Sequence, residues 1–149
     1  MMRIGLLPAV LMLGCAWAGC LRADLKPALA ESNLGKRSKL ALDNAGMALK
    51  AAREAYAKGD NQKVAAAADE IQQSVDLAYD SLMKTGKNPR NSPRWFKPAE
   101  ISTRELSKKL DTFQQEMDFA DRPLLDKVKA RVQQVHDELL LGLMEGKRK

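Results

Sequence analysis

Four apolar stripes, each stepping by three and four residues, govern what this chain can fold into. The first is Leu42, Ala45, Leu49, Ala52 and Tyr56. The second is Val64, Ala68, Ile71, Val75, Ala78 and Leu82, and the third Ala99, Thr103, Leu106, Leu110, Phe113 and Met117. The fourth is Leu125, Val128, Val132, Val135 and Leu139, extended by Leu143. Such steps bring every member of a stripe to one side of an α-helix, where it can be buried against a neighbour. No run alternates with period two for long enough to make a strand.

The breaks between stripes carry turn chemistry. Gly59 suits the residue just beyond a helix, and Asp60 follows as an N-cap for the next. The second stripe stops before Gly86. Pro98 is placed in the first turn of the third helix, where a missing N–H costs nothing. Asp121 is the expected cap of the fourth, with Pro123 in its first turn, and Gly146 ends it. Short connections make consecutive helices antiparallel neighbours. The expectation is an all-α, antiparallel four-helix bundle: two helical hairpins joined by a long, Pro-rich, basic loop. Its expected bounds are a signal peptide over 1–19, a flexible tether over 20–37, the bundle over 38–146 and a basic tail over 147–149.

With its Ala-rich faces and Gly59-Asp60 turn, the first hairpin resembles a tetratricopeptide helix pair. The expected helices are too long for a 34-residue unit, and two hairpins fall short of the three repeats a solenoid needs. A single bundle is therefore the expected architecture.

The N-terminus, MMRIGLLPAVLMLGCAWAGCLRAD, opens with Arg3 and then runs uncharged from Ile4 to Leu21. Its strongest apolar part, Ile4 to Leu13, has the length of a signal-peptide core. Two processing routes compete. Ala16-Trp17-Ala18 fits cleavage before Gly19, while Ala18-Gly19-Cys20 resembles the end of a bacterial lipobox, which implies lipidation of Cys20. Trp17 stands where a lipobox usually has Leu. Both cysteines, Cys15 and Cys20, lie in this leader region, so the folded part has none to form a disulfide. Export to the periplasm, or anchoring at the cell envelope of a bacterium, is the expected location.

Charge is unevenly distributed. Setting aside Arg3 and Arg22 leaves 23 Lys and Arg against 19 Asp and Glu, a net of +4. Lys84, Lys87, Arg90, Arg94 and Lys97 supply +5, and Lys147 to Lys149 another +3, so the remaining body is acidic by 4. Basicity confined to one loop and one terminus argues for a local anionic contact rather than a nucleic-acid coat.

Familiar catalytic signatures are missing. The single histidine, His136, neighbours the fourth stripe on a helix flank, with Gln133 where a Glu-x-x-His di-iron motif needs an acid. No serine sits in G-x-S-x-G, and no phosphate loop, dinucleotide fingerprint or calcium loop occurs. The C-x-x-C-H haem attachment is absent, and Met47 and His136 are poorly placed as a haem-ligand pair. Met83, Met117 and Met144 are expected to fill gaps in the core. Glu54/Lys58, Glu100/Arg104 and Glu105/Lys109 are expected as pairs on solvent-facing surfaces. No cofactor, metal or catalytic residue is expected.

What remains is the interruption KTGKNPRNSPRWFKPAE, residues 84–100. Pro restricts its predecessor, so Asn88, Ser92 and Lys97 are expected to be extended. Trp95 and Phe96 are expected to cover one end of the core while the charges face water. Arg90, Arg94, Trp95, Phe96 and Lys97 form the candidate partner-binding patch, suited to anionic lipid head groups or a protein of the cell envelope. The expected function is a non-enzymatic, exported interaction or structural module that reaches a membrane surface through a lipid anchor or this loop. No nucleic-acid partner and no small-molecule substrate is expected. The alternative is a small-ligand carrier with a pocket inside the bundle, left among Ala45, Ala52, Ala68 and Ala78.

Overall fold

The computed structural model describes residues 23–146, so the leader, Cys20 and the basic tail lie outside the described residues. The described chain is helical. A short α1 (Lys26–Ala30) precedes four long helices, α2 (Leu34–Ala57), α3 (Asn61–Lys84), α4 (Pro93–Glu116) and α5 (Asp126–Glu145), with a 3₁₀ turn over Arg122–Leu125. Each 24-residue helix is about 36 Å long. None of the described helices is long and apolar enough to cross a membrane.

The four stripes point inward as the spacing demands. Every residue of the second and third is buried, as are Leu125, Val128, Val132, Val135 and Leu139 of the fourth. In the first, Ala45, Leu49 and Ala52 are buried, while Leu42 and Tyr56 pack at the core's edge. Helix α2 buries a wider arc that includes Ala41 and Ala48. Part of that arc meets α1: Ala28 packs against Ala41 and Ala78, where small side chains let the extra helix approach.

Local chemistry explains the first turn. Gly59 adopts φ +73°, Asp60 accepts a hydrogen bond from the Lys63 amide at 3.0 Å, and α3 folds back along α2. Across the hairpins the arrangement is less expected. Helix α2 packs against α3 and α4, and α5 against α4 and α3, so α3 and α4 meet only on the diagonal. Helices α2 and α4 run in the same direction. They start together where Trp95 meets Gly35, and finish together where Arg53 pairs with Glu116 and the Tyr56 and Phe113 rings meet edge to face at 5.9 Å. The connector from α3 to α4 therefore crosses the diagonal of one end, which requires a longer path than a hairpin turn.

Several local expectations are corrected. Residues 26–30 and 34–37 are helical where a tether was expected. Asn33 caps α2 by accepting from the Lys36 amide at 3.0 Å, and Arg37 Nε donates to the Glu31 carbonyl at 2.8 Å. Pro93, not Pro98, opens α4, so the connector shortens to residues 85–92 and Lys97 is helical rather than extended. Pro98 withholds the hydrogen bond to the Arg94 carbonyl, but burial of Phe96 and Ala99 offsets that loss. Asp121 makes no cap bond. Its carboxylate instead accepts from Asn61 Nδ2 at 2.9 Å and Tyr56 Oη at 3.1 Å, tying the final turn to α2 and α3. Met117 is buried, but Met83 and Met144 are exposed.

Candidate functional site

The expected patch is split between core and surface. Phe96 is fully buried, and Trp95 is partly buried. Arg90, Arg94 and Lys97 are exposed, the last two in the first turns of α4. The connector beneath them is braced. The Asn88 side chain accepts from the Arg90 amide at 3.0 Å, and the Asn88 carbonyl accepts from the Ser92 amide at 2.9 Å. Pro89 is buried beside Gly142 of α5, where an added Cβ would lie 3.1 Å from the Pro89 ring. This connector is a rigid base for the arginines.

Trp95 is the joint of this end. Its six-membered ring lies so close to Gly35 that a Cβ there would sit 2.7 Å from Cζ3, which explains glycine just inside α2. Lys87 Nζ stands 4.9 Å from the ring centroid and Arg94 Cζ 5.9 Å, both within cation–π range. The indole thus holds α2, α4 and the connector together, and gathers positive charge around itself.

That contact also brings in residues the sequence assigned no role. Lys36 and Lys39 of α2 face Arg94 of α4 across a cleft of about 410 Å³. Their shared location follows from α2 and α4 starting at the same end, which no local pattern announces. Among the described residues none of Lys36, Lys39, Lys87, Arg90, Arg94 or Lys97 forms an ion pair; elsewhere Arg53, Lys63, Arg104, Lys129 and Arg131 do, while others such as Lys50, Lys108 and Lys127 do not. Two helix N-termini side by side add their partial positive charge. Among the described residues Asp43 is the one acid lining the cleft. The arrangement can attract and hold an anion.

His136 is placed differently from expectation. It is buried rather than on an open flank, with Nδ1 3.7 Å from Glu100 Oε1 of α4. Arg104 Nε lies 3.8 Å from the same oxygen, and Glu100 is only 6 % exposed, not on a solvent-facing surface. An ionisable partner therefore converges on the histidine, but neither residue lines the cleft. Among the described residues no cluster of three or more His, Cys, Asp or Glu is arranged to hold a metal ion. Away from this pair, burial of the Tyr79 phenol on α3, with the negative Glu138 nearby, pushes its pKa up to about 12.

Comparison with protein-family profiles, with curated proteins and with solved structures gives no match, so the reading of this end rests on its own geometry.

Proposed function

We propose that this protein is a non-enzymatic module of a bacterial cell envelope, exported through its leader, which uses the basic end of two side-by-side helical hairpins to contact an anionic membrane surface or an acidic partner protein. One observation carries the reading. Six cations that form no ion pair among the described residues collect where α2 and α4 begin together, with Asp43 the one described acid lining the cleft between those helices. Unpaired, exposed charge at one pole contributes little to stability and much to a long-range attraction for negative surfaces. Lipidation of Cys20 would keep that pole near a bilayer, at a distance set by the short stretch before α1.

Intact mass of the exported chain reads the leader directly. A diacylglyceryl adduct on Cys20 supports anchoring, and a clean cut before Gly19 makes the protein soluble. The contact itself is tested with a Cys20→Ser chain, so that no acyl group contributes, by sedimentation with vesicles of neutral or anionic lipid. Each basic residue near such a surface contributes about 1 kcal/mol, so Arg90→Gln/Arg94→Gln/Lys97→Gln is expected to weaken binding by roughly a hundredfold. Binding should also fall steeply with salt. Equal binding by the triple variant would remove this end from the reading.

A further inference from the structure

The cleft between α2 and α4 has features that attraction to a flat surface does not require. Ser38 lies in its wall, is only 3 % exposed, and its hydroxyl has no hydrogen-bond partner among the described residues. The other buried hydroxyls of the long helices are occupied: Ser81 donates to the Leu77 carbonyl at 2.6 Å, Thr103 to the Ala99 carbonyl at 2.9 Å, and Ser74 accepts from Asn44 at 2.9 Å. A serine within a helix ordinarily bonds back to the carbonyl four residues earlier, and Ser38 does not. Ser102, lining the cleft from α4, also makes no side-chain hydrogen bond among the described residues. Among the described residues the side-chain atoms sealed from solvent without a partner are Asn44 Oδ1 and His136 Nδ1, not Ser38 Oγ, so this hydroxyl opens on the cleft and its bonding capacity is available to a ligand there.

The rest of the lining states what that would be. Lys36 and Lys39 stand one turn apart on α2, with Arg94 on α4, against the single negative charge of Asp43. Two positive charges are left uncompensated, which matches a dianion. Arginine's planar fork and the two hydroxyls suit several oxygens on one centre, as in a phosphate, better than the two of a carboxylate. Beyond the charges and the two hydroxyls, Leu42, Trp95, Pro98 and Ala99 give the cleft an apolar stretch of wall. Its volume of about 410 Å³ lies within the range that encloses small organic ligands.

We infer that this cleft is a binding site for a phosphomonoester on a compact apolar group, with the phosphate held by Lys36, Lys39, Arg94 and Ser38 and the apolar part against Trp95 and Leu42. The inference rests on the basic-end reading for its electrostatics, but it has its own position and its own residues. The same chemistry is offered by a free phosphomonoester and by the exposed monoester of a phosphatidic acid head group.

Calorimetric titration of the full chain with phenyl phosphate tests it. Saturable binding at one site is expected, about tenfold tighter than inorganic phosphate, with no saturable binding of phenol. Lys36→Gln/Lys39→Gln should weaken binding by at least about tenfold, and Ser38→Ala by several-fold. Arg90→Gln/Lys97→Gln, outside the lining, should leave phenyl phosphate binding within about twofold while reducing attachment to anionic vesicles. Competition by vesicles containing phosphatidic acid, but not by phosphatidylglycerol at equal charge, identifies the lipid as a source. Competition by neither leaves the free monoester as the source. Absence of saturable binding at millimolar phenyl phosphate, or equal binding by the Lys36/Lys39 and Ser38 variants, overturns the inference even if vesicle attachment persists. Loss of vesicle attachment alone overturns the surface reading and leaves the cleft standing.

Discussion

Phe96→Ala is expected to lower the free energy of unfolding by about 3 to 5 kcal/mol, the usual consequence of emptying a large buried aromatic site. Phe96 is 0 % exposed and belongs to the same apolar cluster as Leu82, Ala99 and Leu139, at the end where the connector crosses the bundle. A domain of this size has only about 5 to 15 kcal/mol of stability in total, so this one change can remove a third or more of it. Urea denaturation reads the effect as a lower midpoint with little change in slope. Lys97→Gln, one residue further on and exposed, should shift stability by no more than about 0.5 kcal/mol. The contrast separates two neighbours that the sequence grouped in one patch. If Phe96→Ala lost under about 1 kcal/mol while anion binding collapsed at full folding, Phe96 would be a surface contact and the core assignment wrong.

The second large effect concerns Glu100 and His136. Glu100 is 6 % exposed and His136 9 %, and His136 Nδ1 has no hydrogen-bond partner among the described residues. Their separation of 3.7 Å is within ion-pair reach but too long for a hydrogen bond, as is the 3.8 Å to Arg104. Taking a carboxylate out of water costs several kcal/mol, and a loosely engaged partner returns only part of it. The double variant Glu100→Met/His136→Leu is therefore expected to be more stable than the parent, by about 1 to 4 kcal/mol. His136→Leu alone leaves Glu100 with one distant partner and is expected to cost about 1 to 3 kcal/mol. Urea curves for the parent, both single variants and the double variant give the coupling between them. A double variant less stable than the parent would show that the pair holds α4 and α5 together rather than straining them.

The helical period was legible because it is a local property. Val64 through Leu82 and Ala99 through Met117 repeat at three and four, and every one of those positions is buried. The Gly59-Asp60 turn was equally plain, since a positive φ and a side-chain cap depend on adjacent residues alone. Other local signals were present but outweighed. Pro98 was the natural helix start by its own chemistry, yet α4 begins five residues earlier at Pro93, which suits a first turn equally well, and the added turn buries Phe96. Asn33 carried a cap signal that the mixed polar surroundings of 24–37 concealed.

The candidate cleft was only half visible. Arg94 and Trp95 drew notice because a basic-aromatic run is conspicuous in a chain with few aromatics. Lys36, Ser38 and Lys39 lie more than fifty positions earlier and look like ordinary residues of a solvated helix. They join Arg94 because the connector carries α4 across the diagonal to lie beside α2 in the same direction, and because Gly35 leaves room for the Trp95 ring.

Amino-acid order alone thus determined that this chain forms long amphipathic helices, where two of them turn, and which faces they bury. Those properties arise from backbone geometry and from neighbours within one or two turns. Tertiary structure alone decided which helices lie side by side, which cations share a cleft, and that Phe96, Glu100 and His136 belong inside. These outcomes depend on how several buried faces satisfy one another at once, and no single stretch of residues contains that competition.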